Sequence, residues 1–252
     1  MQRQALWNRL YLSGIDGRAA DLARENGLGL EIAAFCYAPN LEDPAVLSAV
    51  RADMAGLHRF WLHAPFAELC PCAIDPLVRQ VTARRYRQAI ALARDLGVRQ
   101  LVIHGGFVPQ VYFPEWYVEQ SVLFWRELLA ELPPDMTIAL ENVMEPEPLL
   151  LADIARQVDD PRLGLCLDVG HVNAYSEIPA SEWLKVCAGE VRHFHLHNND
   201  GSGDVHGGLD QGTIPMKELL AMAKELCPAA TFTLELMDAR PSAVWLTENG
   251  LL

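Results

Sequence analysis

Residues 163–168 read LGLCLD, an apolar run ending on a carboxylate, and the same form returns at TIALE (137–141), VRHFH (191–195) and TFTLE (231–235). A short apolar run bounded by turn residues is the pattern of a parallel strand buried on both faces. The four runs end on Asp168, Glu141, His195 and Glu235. Charged groups at buried strand ends must neutralise or find a partner. For three carboxylates and one imidazole, a divalent cation satisfies all four together, so the runs predict a metal site at the mouth of a parallel barrel.

Outward from these runs, strand-like and helix-like segments alternate along the chain. LYL (10–12) precedes a helix near 17–26, and LGLEIAAF (28–35) precedes one near 44–56 that Asp43-Pro44 opens. HRFWLHAPF (58–66) leads to a long helix over 76–96 stopped by Gly97. QLVIHGG (100–106) leads to a helix over 115–132 ended by Pro133-Pro134. TIALENV (137–143), a helix at 148–158, LGLCLDVGH (163–171) and a helix at 180–189 follow. VRHFHLHN (191–198), a helix at 215–226, TFTLELMD (231–238) and a segment at 242–249 complete eight units. Strict βα alternation implies a parallel sheet with right-handed crossovers, and eight units imply an α/β fold, a single (β/α)8 TIM barrel over residues 1–252. The rival, an open doubly wound sheet, lacks its Gly-rich phosphate fingerprint after the first strand.

Composition narrows the function. Half of the 252 residues are hydrophobic, and no apolar stretch reaches the ~18 residues needed to cross a bilayer. The N-terminus, MQRQALWNRLYLSG, has no signal-peptide pattern, and six scattered cysteines suggest reduced thiols, so a cytoplasmic location is expected. Cys70-Pro71-Cys72 reads as two loop thiols. The net charge of −13, with no basic cluster beyond Arg84, Arg85 and Arg87, argues against nucleic acid and anionic membranes as partners. A homo-oligomer is compatible with this composition.

Strand parity sorts the polar residues. Alternate side chains face the barrel interior, placing Glu141 above Ala139, Asp168 above Cys166 and Glu235 above Thr233. The same parity turns His63 and His104 inward at the ends of strands three and four. His171, Asp204 and His206 lie in loops above that face, where active sites of this architecture form. These five are candidates either as additional ligands or for gripping substrate. Any one of them, taken alone, could be a satisfied core or loop residue, and the whole set could be a structural polar network. His193, one layer deeper than His195, reads as a hydrogen-bonded core residue. Glu145 and Glu147, in the EPEP turn, are expected to face solvent. Phe66, Phe107, Tyr112, Phe113 and Trp116 would either stack on a substrate or pack the fourth helix.

The motifs HAPF (63–66), HGG (104–106), LEN (140–142), LDVGH (167–171), HLHNNDG (195–201), DVH (204–206) and LEL (234–236) resemble the xylose isomerase-like TIM-barrel superfamily. That grouping includes sugar-phosphate isomerases and epimerases as well as apurinic-site endonucleases. The resemblance implies, for sugar-converting members, one divalent metal (Mn, Mg, Co or Zn) on Glu141, Asp168, His195 and Glu235, with His171 on substrate. For the endonucleases it implies three zinc ions on all nine residues. Ketose 3-epimerases carry an Arg shortly after the metal His, where this chain has Asn198, Asn199, Asp200 and Gly201. Many relatives have Asp at Asn198 and Gly at Asp210, and these departures bear on the substrate.

The expected activity is therefore isomerisation or epimerisation of a small-molecule sugar or sugar phosphate, an enzyme of carbohydrate metabolism. Proton transfer beside a carbonyl would pass through a metal-stabilised enediolate, with Glu141 and Glu235 as the acid-base pair. His63, His104, His171 and His206 would bind substrate, with Phe66 and Trp116 as its aromatic walls. The alternatives are a zinc-dependent phosphodiesterase of the endonuclease type and a non-catalytic binding barrel.

Overall fold

The structure, a computed structural model, describes residues 7–251. Eight parallel strands form one closed barrel: β1 Leu10–Ser13, β2 Gly29–Ile32, β3 Phe60–His63, β4 Gln100–His104, β5 Thr137–Glu141, β6 Leu163–Asp168, β7 Val191–Leu196 and β8 Thr231–Leu234. Each strand pairs with the next, and β8 closes on β1 through Leu10 opposite Phe232 and Leu12 opposite Leu234. Around them lie α1 Ala19–Asn26, α2 Pro44–Met54, α3 Pro76–Leu96, α4 Pro114–Glu131, α5 Leu149–Val158, α6 Val169–Tyr175, α7 Ala180–Cys187, α8 Met216–Leu226 and α9 Arg240–Glu248. The expected (β/α)8 barrel is the observed one. Among the described residues, no helix is long and apolar enough to cross a membrane.

Local sequence explains the helix ends. Asp43 and Asp75 accept the amides of Ala45 and Leu77 at 2.8 Å, and each is followed by a proline whose missing N–H costs nothing in a first turn. Gly97 ends α3 at φ 78°, a left-handed conformation that a side chain would strain.

The strands are shorter than the apolar runs that announce them. β2 stops at Ile32, and a 3-10 turn over Ala38–Glu42, without a clear sequence signal, occupies part of the following loop. β6 stops at Asp168 rather than continuing to 171. Its carboxylate turns back to accept the His171 amide at 2.7 Å, which caps and starts α6.

Parity divides the core as the strands require. Ile138, Leu140, Leu165, Leu167, Phe194 and Phe232 pack outward against the helices. Tyr11, Trp61, Val102, Ala139 and Cys166 fill the barrel interior as a separate layer. This apolar plug forms a floor, so the polar side chains one step further along each strand stand at the C-terminal mouth.

Candidate metal centre

Glu141 stands at the centre of the mouth, 1% exposed. Its Oε2 meets His63 Nε2 at 3.2 Å and His104 Nε2 at 3.4 Å, while Oε1 meets His195 Nδ1 at 3.0 Å and His171 Nδ1 at 3.5 Å. His195 Nδ1 also faces Glu235 Oε2 at 3.0 Å and Asp168 Oδ2 at 3.7 Å. Thus the four strand-end residues converge on one point. Asn142 fixes two of the walls, since its side chain accepts the Asp168 amide and donates to the Asp168 carbonyl, both at 2.9 Å.

The loop after β7 brings in the rest. Asn198 and Gly207 exchange backbone hydrogen bonds at 2.8 and 2.9 Å, folding residues 198–207 back over the barrel. Asp204 Oδ2 then lies 3.2 Å from His171 Nε2 and 3.3 Å from His206 Nε2. His206 is held from behind by the Glu235 carbonyl, 2.9 Å from its Nδ1. All nine residues singled out from the sequence come together at the mouth.

Two residues that the sequence reading passed over belong with them. His197 places Nε2 3.0 Å from Asp168 Oδ1, and its ring stacks on His206 at 4.2 Å. A Cβ on Gly170 would sit 1.9 Å from this imidazole, so only glycine leaves His197 its place. Glu31, fully buried on β2, reaches His195 from the opposite side, with Oε1 3.0 Å from Nε2. Parity offered a signal for both: His197 is two residues beyond His195, and Glu31 interrupts an apolar strand.

Other assignments sort differently. Phe66 lies at the rim, stacked on His104 at 4.4 Å and 40% exposed. Trp116 is half-buried and donates its indole N–H to the Cys72 carbonyl at 2.8 Å, tying α4 to the loop after β3. Phe107 packs on Tyr117 of α4, and Tyr112 contacts the Cys70 thiol at 3.3 Å, joining the loop after β4 to the loop after β3. Cys70 and Cys72 are free thiols with sulfurs 3.4 Å apart. His193 is bonded as expected, to Thr231 Oγ1 at 2.6 Å and Glu31 Oε2 at 3.0 Å.

The expectation for Glu145 is corrected. It is 2% exposed, because the EPEP turn folds inward and its carboxylate accepts from the Tyr117 hydroxyl at 2.6 Å and the Val143 amide at 2.7 Å. Glu147 is half-buried.

Electrostatics show what the cluster demands. Burial alone would raise the Glu141 and Asp168 carboxyls, but the imidazoles outweigh it. His195 holds Glu141 well below the carboxylate range, and His171 and His197 bring Asp168 down to about 2. Burial drops His104 to about 3, whereas His206 rises to about 9 because its hydrogen bond to Asp204 outweighs its burial. In this arrangement protons on imidazoles balance the carboxylates.

A cation fits the donors better. Glu235 Oε2, Asp204 Oδ1 and His197 Nδ1 are buried without a hydrogen-bond partner. Such groups each cost about 1–3 kcal/mol when left unpaired. Ligand atoms of His63, His104 and Glu141 lie within 4.8 Å of one another, as do those of His63, His195 and Glu235 and those of Asp168, His171 and His197. Mixed imidazole and carboxylate donors at this spacing suit a divalent transition metal.

The family described as the xylose isomerase-like TIM barrel matches residues 18–249. An uncharacterized protein of Methanocaldococcus jannaschii is 30% identical over 179 residues, an alignment covering 66% of this chain and 60% of the relative. The chain therefore spans less than two thirds of that relative's length. A probable endonuclease 4 of Mycobacterium leprae is 26% identical over 176 residues, covering 65% of this chain and 68% of its own. Among solved structures, a D-tagatose 3-epimerase-like protein superposes with TM-score 0.79 at 22% identity, covering 96% of this chain and 97% of its own. A Thermus thermophilus protein soaked with zinc chloride superposes with TM-score 0.76 at 25% identity and the same coverage.

Proposed function

The chain belongs to the xylose isomerase-like TIM-barrel family, and on that footing we propose that it is a divalent-metal-dependent isomerase or epimerase of a sugar or sugar phosphate. The observation that carries this reading is the convergence of Glu141, the last residue of β5, and Glu235, the residue just past β8, on the same His195 nitrogen at 3.0 Å each. Two carboxylates that reach one point from different walls can address two faces of a carbon held between them.

Glu141, Asp168, His195 and Glu235 would hold the metal, which when bound supplies Lewis-acid polarisation of a substrate carbonyl. One of the two glutamates removes the proton beside the carbonyl, and the other, entering as the carboxylic acid, delivers its own proton to the opposite face, giving epimerisation. Return by the same base at the neighbouring carbon gives isomerisation. His171 and His206 orient hydroxyls, while His63 and His104 line the wall beneath Phe66. The Phe66 ring stacks on the apolar face of the sugar and sheds water from it.

The charge of the mouth supports a small substrate. In the loops that follow the eight strands, Arg18 is the only Lys or Arg, and it is paired with Asp16 and Asp238 at 3.4 and 2.7 Å. Glu68, Glu177, Asp200 and Asp210 add negative charge there. A polyanion would find no footing on this face beyond the metal itself.

A second reading has its own observation. His63 and His104 flank Glu141, and His171 and His206 flank Asp204, so two further donor groups adjoin the first. Three cations would suit phosphoester hydrolysis, and a relative bears the name probable endonuclease 4. Exchange of substrate C–H protons with heavy water, screened across keto-sugars with added metal, tests the first reading. Hydrolysis of a phosphodiester with no such exchange would replace it with the second.

A further inference from the structure

We infer that Glu31 selects the tautomer of His195: the Glu31 carboxylate is the acceptor that keeps the ring proton on Nε2, and Nδ1 is thereby left bare to face the metal. The inference rests on the reading of His195 as a ligand.

The two nitrogens of His195 look in different directions. Nδ1 faces Glu141, Glu235 and Asp168, the carboxylates of the candidate centre. Nε2 points into the barrel, where it makes no hydrogen bond, and Glu31 Oε1 lies 3.0 Å away. That oxygen makes no hydrogen bond either, so the two atoms are close but not aligned. A neutral imidazole carries one proton on one nitrogen. With the proton on Nδ1, the ligand lone pair would turn inward and a buried carboxylate oxygen would face a second lone pair. With the proton on Nε2, a small rotation of the carboxylate would pair the two orphaned atoms, and Nδ1 is free. The neighbouring Cys166 sulfur is a weak acceptor and offers little competition.

Glu31 is also built to hold this position. Its other oxygen, Oε2, accepts from the Thr233 hydroxyl at 2.6 Å and lies 3.0 Å from His193 Nε2. His193 is fixed in turn by Thr231 Oγ1 at 2.6 Å and by stacking on Trp61 at 4.2 Å. Neither His193 nor Thr233 faces the mouth, so their arrangement serves to orient one carboxylate beneath one imidazole. A carboxylate behind a ligating histidine fixes its ring and strengthens it as a donor. Glu31 acts through His195 and is a positioning residue.

The test is long-range proton–nitrogen NMR of the histidine rings, with zinc titrated into the whole protein and His195 assigned through His195→Gln. We expect zinc to shift Nδ1 of His195 while Nε2 keeps its proton. Zinc that moves His195 with the proton on Nδ1 overturns the inference alone. Zinc that moves no histidine signal removes the metal reading and this inference with it. Glu31→Gln supplies an independent measure: zinc affinity, read by chelator competition, should fall roughly 10–100-fold. Unchanged affinity in a folded Glu31→Gln protein would overturn the assignment. Should that variant not fold, the tautomer of the unaltered protein still decides the matter.

Discussion

Glu141 and Glu235 rise from strands three places apart in the barrel, yet each brings a carboxylate oxygen to 3.0 Å from Nδ1 of His195. Their supports differ. Glu141 ends β5 and is surrounded by His63, His104, His171 and His195, whereas Glu235 lies just beyond β8 and keeps one buried oxygen without a hydrogen bond. This asymmetry suits a pair in which one carboxylate is held rigidly and the other is available to substrate.

Replacing either glutamate separates charge from shape. Glu141→Gln and Glu235→Gln should each slow proton exchange on the substrate by ~100-fold or more, the scale of a lost acid-base group. Both should remain folded, since the amide occupies the same volume. Single-turnover exchange in heavy water is the measurement, and near-normal rates in both variants would remove the assigned roles.

The histidines of β3 and β4 discriminate between one metal and several. On the isomerase reading, His63→Ala and His104→Ala raise the substrate KM while metal content stays close to one per chain. Elemental analysis of protein purified without chelator reads this directly. Two or three tightly held zinc ions, some lost on those changes, would move the assignment to a phosphoester hydrolase.

Asp16 joins the first βα unit to the last. Its carboxylate accepts the Ala239 amide at 3.0 Å and the Arg18 amide at 2.9 Å, beside the Arg18 guanidinium. Burial would raise its pKa, but these donors outweigh it and hold the group below its ordinary value. A depressed folded pKa contributes stability that is complete above the unfolded value of about 3.9 and is lost as pH falls through the folded one. Asp16→Asn should therefore cost about 1.5–3 kcal/mol at pH 7, on the scale of hydrogen bonds to a charged group. The gap in urea denaturation should hold from neutral pH down to about 5 and narrow below about 4. A gap that widens on acidification would contradict this account.

The barrel and most of its mouth were legible because strand parity is strict. Ile138 and Leu140 had to face helices, so Ala139 and Glu141 had to face the interior, and the same held for Cys166 and Asp168. Glu31 obeyed that rule too, but a single acidic residue in one strand does not announce its partner, and His193 and Thr233 lie more than 160 positions away in sequence. Glu145 misled for a related reason. A turn rich in proline and glutamate reads as solvated, and it is the Tyr117 hydroxyl, supplied by a helix elsewhere in the chain, together with the Val143 amide, that makes its burial tolerable. Trp116 carried no periodic signal that could separate a substrate wall from a loop fastener.

The charge of the mouth makes the sharpest distinction between substrates. A relative is named probable endonuclease 4, and nine residues that could serve either chemistry stand together here. Binding to duplex DNA draws much of its affinity from Lys and Arg that neutralise phosphates and release counterions. The loops around this mouth offer only Arg18, already paired with two aspartates, on a chain of net charge −13. No retained binding to an abasic duplex is expected at ~0.15 M salt, and no incision with zinc or manganese added. For the same reason a neutral keto-sugar should be turned over with a higher kcat/KM than its phosphate ester, and salt should narrow the difference by screening the acidic rim. Parallel assays of proton exchange on a free ketose and its phosphate, at low and high salt, measure this. Preference for the phosphate would place an anion subsite on the metal itself. Incision at an abasic site, abolished by Asp204→Asn or His206→Ala, would overturn the sugar reading altogether.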